Sequence, residues 1–135
     1  MLKIESTGTV NGAQQSVYTY LADFRNFEHL LPSELLRDLK VTTDTIRFGI
    51  EGLGNVGLGI AEKKPFSQLV IKATEESAAN FTFWFNISAL TDKKAQVSLL
   101  LEANLNMFLE MMAKAPLQQF ADLIIDKMTT LEFDE

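Results

Sequence analysis

Cysteine is absent from the 135 residues, and with it go disulfides, thiolate zinc sites, iron–sulfur clusters and cysteine nucleophiles. Histidine occurs once, at His29, so a metal site would have to lean on scattered carboxylates, and no metal or cofactor is expected. Long hydrophobic runs are also missing. The longest aliphatic stretch surrounds Leu99-Leu100-Leu101, far short of the roughly 20 apolar residues of a spanning helix. Basic residues are the minority, 12 against 18 acidic, and the net charge of −6 opposes binding to nucleic acid or to an anionic membrane. The opening Met1-Leu2-Lys3-Ile4-Glu5 alternates instead of running into an apolar stretch, so no export signal is read. Together with the lack of cysteine this sets the expectation of a cytoplasmic protein. What the chain has in quantity is apolar material, 47% of its residues, enough for one core and hence one domain spanning residues 1–135.

The apolar residues are patterned. Leu2, Ile4, Ser6, Gly8 and Val10 share one side of an extended segment and Lys3, Glu5, Thr7 and Thr9 the other, which is the period of a half-buried strand. Asn11 is placed to cap a helix over Ala13 to Ala22, with Gln14 three residues on as in a capping box. Asp23 is placed to cap a second, short helix carrying Phe24, Phe27, Leu30 and Leu31, which Pro32 stops. Period two then returns in Leu39 and Val41; Ile46, Phe48 and Ile50; Val56, Leu58 and Ile60; and Leu69, Ile71 and Ala73. Turn residues at Thr43-Asp44, Glu51 to Gly54, Lys64-Pro65 and Glu76 to Ala79 separate these strands and predict a meander. The clearest hairpin pairs Phe81, Phe83, Phe85, Ile87 and Ala89 with Val97, Leu99, Leu101 and Ala103 across Thr91-Asp92-Lys93-Lys94. Met107, Phe108, Met111 and Met112, then Leu117, Phe120, Ala121, Ile124, Met128 and Leu131, read as a long amphipathic helix with a kink or restart at Pro116.

A strand, two short helices, a six-strand antiparallel meander and a long C-terminal helix is the element order of the helix-grip fold. The chain resembles the START-like, Bet v 1-like superfamily, also called the polyketide cyclase/dehydrase or SRPBCC group. The resemblance covers nearly the whole length. It rests on Val17-Tyr18-Thr19-Tyr20-Leu21-Ala22-Asp23 leading to Leu31-Pro32, and on Asn104 to Leu117 leading into the last helix. It implies an α+β fold in which a curved antiparallel sheet wraps a long C-terminal helix, with a cavity between them that in many relatives takes lipids, sterols, polyketides or plant hormones.

Gly52-Leu53-Gly54-Asn55-Val56-Gly57 spells the G-x-G-x-x-G dinucleotide fingerprint, but the Leu58-Gly59-Ile60-Ala61 that follows alternates like a strand where the fingerprint needs a helix N-terminus. A glycine-rich hairpin is expected there. On the cavity reading, the ligand-binding candidates are Phe27, Phe48, Phe83, Phe85, Phe120 and Ile124 as walls, Met107 and Met111 as an adaptable gate, and Arg47 for an acidic head group if it points inward. Ordinary core packing explains the same apolar residues. Trp84 falls on the opposite face from Phe83 and Phe85. No catalytic constellation is visible: a cyclase- or dehydratase-type enzyme would have to use His29, Glu51 or Arg47, and nothing pairs them at a diagnostic spacing. A third reading is an interaction module with a filled cavity, a possible homodimer, using an exposed apolar contact such as Phe133.

Overall fold

The computed structural model describes residues 2–31, 36–50, 54–75, 77 and 80–133. Strand β1 (Leu2–Gly12) leads into helices α1 (Gln14–Leu21) and α2 (Phe24–Phe27) and a 3₁₀ turn at Glu28–Leu30. Strands β2 (Arg37–Val41), β3 (Thr45–Ile50), β4 (Gly54–Lys64), β5 (Gln68–Ala73), β6 (Asn80–Thr91) and β7 (Lys94–Asn104) follow. Helix α3 (Met107–Thr130) and a two-residue strand β8 (Glu132–Phe133) close the chain. The sheet order is β2-β3-β4-β5-β6-β7-β1-β8. All neighbours are antiparallel except β8, which lies parallel to β1, so the sheet is mixed where an antiparallel one was expected.

Alternation decides the two faces. Phe81, Phe83, Phe85 and Ile87 of β6 are buried towards α3 along with Val97, Leu99 and Leu101 of β7. On the outer face Trp84 stands opposite Val70 and Leu100, flanked by polar rows. Thr7 and Ser98 hydroxyls lie 3.1 Å apart, the Gln68 amide donates to Asn86 at 2.7 Å, and Lys3 meets Glu102 at 3.7 Å. Bulges between Arg37 and Lys40, Ile60 and Glu62, and Ala89 and Thr91 add bend and twist, and the sheet curls around α3.

Two local readings change on contact with the rest of the chain. Asn11 does not cap α1, because β1 continues through it to Gly12 to pair with Glu132 and Phe133. Ala13 becomes the N-cap with no side-chain bond, and the Gln14 amide donates to the Ile87 carbonyl at 2.9 Å. Phe133, expected as an exposed contact, is buried and lies edge-on to Tyr20 at 5.0 Å. Asp23 does cap α2, accepting from the Arg25 backbone at 3.0 Å; the hydrogen bonds from Arg25 hold its carboxyl below the usual aspartate range. Pro32 lies outside the described residues. α3 runs unbroken through Pro116, whose missing N–H leaves the Met112 carbonyl without its usual donor.

Candidate functional site

The topology gives the grip two unlike ends. At one, the β2–β3 turn, the β4–β5 turn and the β6–β7 turn meet α1 and α2. The Phe24 N–H donates to the Thr43 carbonyl at 3.0 Å, and Lys127 of α3 donates to the Leu31 carbonyl at 3.0 Å. Val17, Leu21, Phe24 and Leu30 are wholly covered here, and Phe85 packs edge-on to Phe27 at 5.5 Å.

At the other end, strands β3 and β5 stop, β4, β6 and β1 begin, and β7 hands over to α3. The inward phenylalanines here are Phe48 on β3, Phe81 and Phe83 on β6, and Phe120 on α3. Phe120 sits 6.2 Å from Phe48, stacked at 28°, and 6.2 Å from Phe83 at 71°, while Phe81 and Phe83 are 6.5 Å apart. These spacings exceed the 5.5 Å of Phe24–Phe27 and Phe27–Phe85. Phe48, Phe81, Phe83 and Phe120 are themselves all hydrocarbon, and among the described residues no residue classed as polar or charged is buried as a whole.

Of the nine residues singled out from the sequence, Phe27, Phe48, Phe83, Phe85, Phe120 and Ile124 fall in one buried cluster. The other three lie outside it. Arg47 is exposed on the outer face, because it alternates with inward Ile46 and Phe48 and pairs with Lys40 and Gly57. It borders a small hollow of about 200 Å³ with Lys40 and Asn55. On α3, the buried side runs through Ala113, Leu117, Phe120, Ile124 and Met128. At about 100° per residue, Met107 falls on the flank, and Phe108, Met111 and Met112 face away. They are 78%, 69%, 78% and 57% exposed in chain order. Residues that the sequence reading left out of the site, Val56, Leu58, Phe81 and Leu117, line the same wall; strand alternation and helix phase mark them inward.

Open hollows lie at the end where α1 meets the β6–β7 turn. Two adjoining surface grooves of about 630 and 640 Å³ share Ala13, Ser16, Glu132 and Phe133 along β8, away from the phenylalanine wall. His29 is exposed on the 3₁₀ turn, Glu62 is exposed, Glu102 faces outward to Lys3, and Glu51 lies outside the described residues. No group of acidic or histidine residues able to hold a metal occurs among the described residues. The G-x-G-x-x-G stretch, described from Gly54 onward, opens strand β4, where Gly54 takes φ 91°, a left-handed turn conformation suited to glycine. The Tyr18 hydroxyl is buried without a partner among the described residues, and burial pushes the phenol up. No helix of the described residues is long and apolar enough to cross a membrane.

No protein-family model and no curated protein matches the chain. Solved structures do. A START superfamily protein from Mycobacterium smegmatis aligns over 93% of this chain and 96% of its own, with a TM-score of 0.65 and 12% identity. Truncated norcoclaurine synthase from Thalictrum flavum aligns over 97% and 95%, at TM-score 0.68 and 10% identity. The di-domain ARO/CYC BexL from the BE-7585A biosynthetic pathway aligns over 93% of this chain and 46% of its own, at TM-score 0.64 and 13% identity. At these identities the likeness is one of fold.

Proposed function

We propose that this chain, whose fold is the helix grip of START-like and Bet v 1-like proteins, binds a small uncharged apolar molecule among Phe48, Phe83 and Phe120. The observation that carries the reading is the wider spacing of the rings around Phe120, 6.2–6.5 Å, set against 5.5 Å for Phe24–Phe27 and Phe27–Phe85 at the α1 and α2 end. A guest that parts these rings gains burial at about 25 cal/mol per Å² of apolar surface. A carboxylate or ammonium in the same place meets no buried charged residue among the described residues, and desolvating it unpaired is strongly unfavourable. The ligand class is therefore neutral: an aromatic, isoprenoid or fatty-alcohol type of molecule.

Thermal unfolding against a panel of such molecules tests this. A ligand at a hundred times its Kd raises stability by about 2.7 kcal/mol. Phe120→Trp, which enlarges the ring at the centre of the cluster, is expected to abolish the shift while the protein stays folded. A panel that leaves the wild-type midpoint unmoved, or a shift that Phe120→Trp leaves intact, contradicts the proposal.

A further inference from the structure

We infer that the first half of α3 is a self-association surface, joining two copies of this chain through an antiparallel pair of helices. Phe108, Met111, Met112 and Ala115 form one exposed stripe on the side of α3 opposite its buried residues. An exposed helical stripe of such residues is unusual for a monomer, since apolar patches on monomers rarely exceed a few hundred Å². Phe108, Met111 and Met112, with Met107 on the flank, are 57–78% exposed and together present on the order of 500 Å², the upper part of the range for the largest patch on a monomer. Two copies that cover these side chains in full bury at most about 1,000 Å², the threshold for a specific interface and the size of a weak one.

The stripe is complementary to itself. With the two-fold axis between Met111 and Met112, Phe108 of one copy lies on the small Ala115 of the second copy, and Met111 lies on Met112. Both contacts occur twice, as an isologous pair requires. The unbranched methionines adapt to the fit. Lys114 falls beside Leu109 of the second copy, and Glu110 sits on the inward side of its helix, so the pairing brings no like charges together. A membrane surface is a poorer occupant. Interfacial helices carry Lys and Arg around an apolar face, and here Lys114 is the one cation between residues 107 and 118 of a chain with net charge −6.

Sedimentation equilibrium of the full chain from about 1 µM to about 1 mM tests the pairing. The wild type is expected to show a monomer–dimer equilibrium in this range. Ala115→Glu removes no apolar surface and suits an exposed helix, yet places a carboxylate under Phe108; it is expected to weaken the dimer by at least about tenfold. Phe108→Ser is expected to do the same by loss of area. Neither substitution touches the inward rings, so any ligand-induced rise in melting temperature stays as in the wild type. A monomer throughout the range, a dimer indifferent to Ala115→Glu, or a monomer that co-sediments with neutral phosphatidylcholine vesicles overturns the inference.

Discussion

Phe85→Ala is expected to cost about 3–5 kcal/mol of stability, and Phe120→Ala about 1–2 kcal/mol less, although both remove the same ring from the same core. Phe85 is wholly covered, flanked on its face of the sheet by Leu69 and Leu99 and held edge-on to Phe27 at 5.5 Å. Its removal leaves a cavity at the end where α1, α2 and the strand turns are tied together and have little freedom to collapse. Phe120 has its nearest rings 6.2 Å away, so fewer dispersion contacts are lost with it. Urea denaturation of the two variants measures the difference. Equal losses would mean that the two ends are packed alike, and the case for a ligand site around Phe120 would lose its physical basis.

Gly8→Val is expected to destabilise by about 2–3 kcal/mol, against the ordinary preference of strands. Valine in place of glycine in a strand normally gains up to about 1 kcal/mol from stiffness and β-propensity. Gly8, however, occupies an inward position of β1 directly beneath α3. A Cβ there would stand 2.7 Å from Ile125 Cγ2 and 3.0 Å from Thr129 Cγ2. Both methyls belong to β-branched side chains with few rotamers to retreat into. The helix itself must move, which strains the seam where Gln118 also donates to the Glu5 carbonyl at 3.1 Å. A neutral or stabilising result in thermal unfolding would mean that α3 does not rest on β1 at this distance.

The strands and the last helix were legible because their periods are strong. Phe81, Phe83 and Phe85 against Val97, Leu99 and Leu101 admit one pairing with a shared inner face, and Leu117, Phe120, Ala121, Ile124 and Met128 fix the phase of α3. The first two turns of that helix carry apolar residues nearly all round, so their composition did not reveal which side faces the sheet. Met107 and Met111 became wall candidates on composition, whereas the phase of the later residues turns them outward. Arg47 was set outward by its own alternation with Ile46 and Phe48. The β8 pairing was beyond local reading. Two residues carry no period, and the contact that draws Phe133 onto Gly12 and keeps Asn11 in the ladder spans most of the chain. The difference in ring packing between the two ends is a property of three-dimensional spacing and has no signature in the order of residues.

Native mass spectrometry of the protein purified without detergent, compared with its denatured mass and repeated on Phe120→Trp, tests the central claim most directly. A one-to-one excess mass in the wild type that is lost on denaturation, missing from Phe120→Trp and identified as an uncharged apolar molecule is the predicted result. A wild-type protein that flies bare and binds no member of a neutral apolar panel, or an adduct that Phe120→Trp retains in full, would contradict it.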